Sequence, residues 1–145
     1  MESAESAVMI TMTGTNEEGD ETSLCTDGVL EERDADSFIL QFQELGEAGP
    51  ILTIVECEGQ HVTIIRAGGT GTAMSFRQGK PYESQYDTPI GPLFLRIYPT
   101  EVLVRRRGRR GHVHLVYQVS FWSRFSPSHD ASVRRLDLRF RPCGR

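Results

Sequence analysis

The chain is predicted to be all-β: a closed or nearly closed antiparallel up-and-down barrel of about 8–10 strands. Three observations predict it. Apolar residues recur at every second position in most segments, the period of a strand with one buried face. Fourteen Gly and seven Pro are spread along the 145 residues and punctuate those segments at hairpin-length intervals. No segment carries the broad apolar stripe that a helix needs to bury. A meander of that many strands leaves two exposed edges unless it closes on itself, and closure removes them.

The elements follow in chain order. Residues 1–7 are small and acidic and are expected to form a disordered tail. The single barrel domain is then expected over 8–141, with residues 142–145 as a C-terminal tail. Val8, Ile10 and Met12 alternate with Met9, Thr11 and Thr13, and Glu21–Cys25 resumes in extended form. Residues 31–36 (EERDAD) have nothing apolar to bury and read as a solvated loop. Phe38, Leu40 and Phe42 alternate with polar neighbours. Ile51–Glu56 and His61–Arg66 form a hairpin of β-branched residues. Gly68-Gly69-Thr70-Gly71 is a turn: it lacks the Lys-Ser/Thr ending of a phosphate loop, and a strand rather than a helix follows it. Thr72–Phe76 runs into the Gly79-Lys80-Pro81 corner and then a strand rich in tyrosine. Leu93, Leu95 and Ile97 continue, Pro99-Thr100 makes a corner, and Val102–Arg107 and His112–Trp122 flank a hairpin tip at Gly108-Arg109-Arg110-Gly111. Leu136, Leu138 and Phe140 alternate with charged residues in the last strand, which Pro142 stops.

Composition narrows the class. Apolar residues make up 38% and charged residues 25%, as in ordinary soluble domains, and a chain this long can bury roughly 68–70% of its unfolded surface. No stretch approaches the ~20 apolar residues of a membrane helix, and the N-terminus is acidic with too short an apolar run for a signal segment. Cys25, Cys57 and Cys143 are odd in number and far apart, which is poor for disulfides and for zinc. Free thiols and a cytoplasmic location are expected. The net charge of −4 is divided unevenly: residues 1–60 hold 15 of the 20 acids and one base, Arg33, whereas residues 61–145 hold the other five acids and 15 bases. Such asymmetry can mark a nucleic-acid surface. The expectation here is instead that acidic and basic strands neutralise one another across the fold, because the acidic half would repel the phosphates that the basic half attracts.

Ile10-Thr11-x-Thr13-Gly14, Thr63-Ile64-Ile65-Arg66-x-Gly68, Met74-x-Phe76, Tyr86-x-Thr88-Pro89-x-Gly91 and Tyr98-Pro99-Thr100, in this order and spacing, resemble the bacterial YwiB-like family of domains of unknown function, DUF1934. The likeness runs from about Val8 to Phe140. It implies a calycin-like, lipocalin-type barrel. It implies no activity, substrate or catalytic residue, and the arginine-rich segment Arg105–Arg110 is not one of its marks.

Tyr82, Ser84, Tyr86 and Thr88 are two apart on one strand and share a face. Of these, Tyr82, Tyr86 and Thr88, with Arg66, Arg96 and Tyr98, are the speculative ligand-binding set, phenols and guanidiniums offering donors to a small molecule in the lumen. Arg105, Arg106, Arg107, Arg109 and Arg110 form the densest charge in the chain and carry the alternative, a hairpin gripping nucleic acid or an acidic partner. Aromatic interleaving is missing from that run, as it would not be in a single-strand platform. His112 and His114 share a strand face in the manner of zinc ligands, but a third ligand has to come from His61, His129 or an acid elsewhere, and no metal is assigned. Ser128-His129-Asp130 holds the residue types of a hydrolase triad, which three consecutive residues do not assemble. The reading is therefore a non-enzymatic barrel that binds a small apolar or amphipathic molecule in its lumen, with no cofactor and no membrane.

Overall fold

The computed structural model describes residues 4–15, 19–46, 49–67, 72–89, 91–124 and 131–143; of Ala4, Gly46, Thr72, Tyr86 and Thr88 it describes the backbone alone. Ten antiparallel strands fill it, and no helix occurs among the described residues. They are β1 (Ala4–Thr15), β2 (Glu21–Asp34), β3 (Ser37–Gly46), β4 (Gly49–Glu58), β5 (His61–Ala67), β6 (Thr72–Phe76), β7 (Tyr82–Thr88), β8 (Gly91–Arg107), β9 (Arg110–Ser123) and β10 (Ser132–Pro142). The sheet order is β6-β5-β4-β3-β2-β1-β10-β9-β8-β7. Every neighbour is sequential except β1 and β10, which pair from Val8↔Pro142 to Gly14↔Leu136. This is the up-and-down meander, with first and last strands side by side.

The one seam, between β6 and β7, is stitched by side chains and turns rather than by a ladder. The Tyr82 hydroxyl on β7 donates to the Ala73 carbonyl on β6 at 2.9 Å. The Gly79 amide donates to Pro99 O at 2.8 Å. The Gln60 side-chain amide pairs with both backbone groups of Val104, at 2.8 and 3.0 Å. The Val102 amide donates to Gln78 Oε1 at 3.2 Å, so side-chain amides at Gln60 and Gln78 imitate backbone and satisfy strand groups that closure would otherwise leave open. The barrel is nearly closed. Gly79 can take this corner because it lies at φ 78°, a conformation that costs glycine little.

Three elements differ from the sequence reading. β1 begins at Ala4, and Ala4–Ala7 pair with Val29–Glu32, so the expected tail is a paired strand from that point on. Residues 31–34 are strand as well, because β1 and β3 supply ladder partners on both sides of Glu31 and Glu32, and β3 carries the pairing past a bulge to Asp34. β8 runs unbroken through Pro99-Thr100, where a bulge between Pro99 and Glu101 absorbs the proline.

Inward-facing residues fill the middle of the barrel. Ile10, Leu30, Leu40, Val62, Phe76, Ile97 and Leu115 have no accessible surface at all, so no water-sized void adjoins them. The expected ligand cannot sit in the centre of the lumen, because this chain's own side chains occupy it, as in many small barrels.

Candidate functional site

Each end of the barrel is finished by charged residues that lie in phase with the apolar face. At one end Arg106 continues the inward series Val102, Val104 of β8, and Glu32 continues Leu30 of β2. They meet at 2.8 Å, with the Arg106 side chain only 11% exposed. The same guanidinium donates to Gly108 O at 3.0 Å and Asp34 O at 2.7 Å, and lies over the Phe38 ring, 5.3 Å from its centroid. Arg106 therefore ties the β8–β9 hairpin to the β2–β3 hairpin. Of the five arginines of the basic run, it is committed to the fold, whereas Arg105, Arg107, Arg109 and Arg110 are exposed. Together with the Arg66–Glu44 pair, it also joins the acidic and basic halves of the sequence across the barrel.

The other end is open. β2 and β3 pair only from Gly28↔Phe42 to Asp34↔Ser37. Before Gly28 and beyond Phe42 the two strands part, and a cavity of about 570 Å³ opens between them and the barrel mouth. Met12, Leu24 and Leu136 are among its apolar lining residues, and Glu44, Arg66, Tyr117 and Arg134 among its polar ones. Glu44, Arg66 and Arg134 again extend inward apolar series: Phe38-Leu40-Phe42, Val62-Ile64 and, read backwards, Phe140-Leu138-Leu136. The Arg66 Nε lies 3.3 Å from the Glu44 carboxylate, which also accepts a 2.5 Å hydrogen bond from the buried Thr53 hydroxyl. Tyr117 packs edge-on against Phe76. Burial pushes its phenol above the ordinary value while Arg134 and Arg66 pull it back, so both guanidiniums bear on this hydroxyl.

The structure divides the speculative ligand set. Arg66 lines the cavity. Tyr82 is partly buried against the core, its hydroxyl used by the seam. Ser84 is half-buried, and strand β7 continues to Thr88, toward the same open end; the side chains of Tyr86 and Thr88 are outside the described residues. Arg96 and Tyr98 are exposed on the outer face, Arg96 at 4.0 Å from Glu83, because the alternation that buries Leu95 and Ile97 turns them outward. They do not join Arg66. Glu44, Tyr117 and Arg134 are not among the site residues that the sequence suggested.

His112 and His114 stand on the outer face of β9 with Asp137 of β10 between them. His112 Nε2 and His114 Nδ1 each lie 2.7 Å from Asp137 Oδ1, and Glu101 Oε2 is 3.3 Å from His114 Nε2. The bond to Asp137 and, after the opposing effect of burial, the bond to Glu101 hold His114 above the ordinary histidine value. Burial pushes the Asp137 carboxyl up, but the two histidine bonds outweigh it and hold the group below its usual range. His61 is elsewhere, bonded to Ser75 at 2.7 Å. Ser128, His129 and Asp130, like the Gly68–Gly71 turn, lie outside the described residues.

The family model for the domain of unknown function DUF1934 matches residues 8–130. The chain belongs to the DUF1934 family. Among solved structures, it is similar to the ywiB protein from Bacillus subtilis, at 14% identity and a TM-score of 0.76, covering 97% of this chain and 94% of that one. At that identity the likeness shows a common fold. No curated protein matches. The DUF1934 barrel thus comes with a shape and without an assigned chemistry. No helix among the described residues is long and apolar enough to cross a membrane.

Proposed function

We propose that this DUF1934 barrel is a binding protein, not an enzyme, and that it takes a small amphipathic anion at its open mouth. One observation carries the reading: a cavity of about 570 Å³ is lined both by Arg66, Arg134 and Tyr117 and by Met12, Leu24 and Leu136. That volume falls in the ~300–1,000 Å³ range of small-molecule sites, which pair apolar walls with a few polar groups that fix orientation. Arg66, Arg134 and Arg135 all line the cavity beside the single carboxylate of Glu44, and arginine's planar fork suits a carboxylate or phosphate head. The parting of β2 and β3 supplies the entrance, and the packed centre of the barrel limits how deep a tail can go. A short-chain acid therefore fits better than a long one.

Titration calorimetry with octanoate tests this. Saturable binding is expected, weakened about tenfold or more by Arg66→Gln, since a hydrogen bond to a charged group is worth ~1.5–3 kcal/mol. Octanol should bind less well than octanoate. Equal binding of the acid and the alcohol, or an indifferent Arg66→Gln, would sink the reading.

A second reading rests on the exposed Arg105, Arg107, Arg109 and Arg110 at the β8–β9 hairpin, a cluster suited to nucleic acid or an acidic partner. It predicts that replacing these four residues by Gln flattens the salt dependence of binding to a mixed-sequence oligonucleotide. Arg106 is not part of it.

A further inference from the structure

We propose that His112, His114 and Asp137 form a site for one divalent transition ion, of the zinc class, on the outer face of β9 and β10. His112 and His114 are two apart on β9, so their rings leave the sheet on the same side. Asp137 is the direct register partner of His114 on β10. Three donors thus stand on two hydrogen-bonded strands, a more rigid mounting than a loop.

The side chains then converge. His112 Nε2 and His114 Nδ1 lie 2.7 Å from the same carboxylate oxygen, and the ligand atoms of all three residues fall within 4.8 Å of one another. Ligand atoms around a tetrahedral zinc ion at ~2.0–2.2 Å stand about 3.4 Å apart, so the two histidine–carboxylate contacts would open by about 0.7 Å, a shift that side-chain rotation on fixed strands supplies. Without an ion, one oxygen must accept from two imidazoles. With an ion, the lone pairs of both rings and the carboxylate serve a single centre.

Glu101 adds the outer partner that such sites use. A ligating histidine commonly donates its other ring N–H to a carboxylate, which fixes tautomer and ring orientation. Glu101 Oε2 stands 3.3 Å from His114 Nε2, on the far side of that ring from Asp137. Two imidazoles and one carboxylate suit zinc, cobalt, nickel or ferrous iron over magnesium or calcium, which prefer all-oxygen sites. The side chains of His112, His114 and Asp137 are each about a quarter exposed, at 24%, 24% and 22%. Solvent can therefore complete the coordination, and the site is open. Arg105 and Arg139 are the cross-strand partners of His112. Both are exposed, where screening blunts their repulsion of a cation.

The test uses the full chain in a Cys25→Ser/Cys143→Ser background, which removes the exposed thiols as competing ligands. Zinc chloride is titrated by calorimetry after chelator treatment, and cobalt(II) absorption reports the ligand set. One equivalent is expected. His112→Gln and Asp137→Asn should each weaken binding by about 100-fold or more, and Glu101→Gln by ~10-fold, the lower bound for an outer partner. His61→Gln should leave it unchanged. Circular dichroism confirms that each variant is folded; if Asp137→Asn is not, His112→Gln and Glu101→Gln decide. No zinc binding by the parent chain, or affinity unchanged in His112→Gln, overturns the proposal and leaves the cluster an ion-pair network only.

Discussion

Replacing Arg106 by Met should destabilise this barrel far more than replacing any other arginine of the same run. Met keeps the apolar stem and removes the guanidinium, so the lost interactions can be named. They are the 2.8 Å pair with Glu32, the bonds to Asp34 O and Gly108 O at 2.7 and 3.0 Å, and the contact over Phe38. Removing one partner of a buried ion pair costs ~3–5 kcal/mol, because the other charge is left uncompensated. Glu32 is 28% exposed, so water recovers part of that and the lower end applies, about 3 kcal/mol. For a chain of this length each kcal/mol moves the melting temperature by about 2–4 °C, so a fall of ~10 °C is expected by differential scanning calorimetry. Arg109→Gln, on the exposed tip, should stay within ~0.5 kcal/mol of the parent. Adding Glu32→Met to Arg106→Met should restore part of the loss, since a buried pair exchanged for apolar residues of similar volume is often neutral. If Arg106→Met melts with Arg109→Gln, the guanidinium does not tie the two hairpins together, and the assignment of this end of the barrel is wrong.

Two further outcomes follow from packing. Gly28 stands where β2 and β3 begin to part, and a Cβ there would lie 2.4 Å from Ile10 Cδ1 and 2.7 Å from Gln41 O. The backbone oxygen cannot yield cheaply, so Gly28→Ala should cost ~1–3 kcal/mol in urea denaturation, the usual cost of overpacking; an unchanged midpoint would contradict it. Cys57 is buried, with burial pushing its thiol up to about 12, whereas Cys25 and Cys143 are exposed. A thiol-disulfide reagent should therefore titrate two cysteines in the native protein and three after unfolding; rapid labelling of all three would mean that the core is loose.

Much of the architecture was legible in the sequence because a half-buried strand advertises itself by period 2, and most of these strands have one wet face. The failures have the same origin. Residues 31–34 and Ala4–Ala7 carry little apolar content, yet they are strands because neighbours on the barrel supply hydrogen bonds, and a single segment does not display its neighbours. Pro99 reads as a corner only until a bulge is available to absorb it. At the open mouth, Arg66 was found among residues that then separated: Arg96 and Tyr98 belong to the outer face by the alternation that places Leu95 and Ile97 inside. Glu44 and Arg134 were missed, and Arg106 was grouped with the exposed arginines of its run, although a signal existed. Each occupies the next inward step of an apolar series, Phe38-Leu40-Phe42-Glu44 being the plainest, and a charge in phase with a buried face at a strand end must find a partner or a ligand. The Asp137 partnership with His112 and His114 lay beyond reach, because it depends on the register of β10 against β9.

The central claim, that the mouth and not the packed centre of the barrel receives a small anionic amphiphile, is tested most directly by a crystal structure with 8-bromooctanoate and its bromine anomalous map. The carboxylate is expected at Arg66, Arg134 and Tyr117, and the bromine peak among Met12, Leu24 and Leu136. A peak anywhere else on the barrel, or none at saturating ligand, would contradict it.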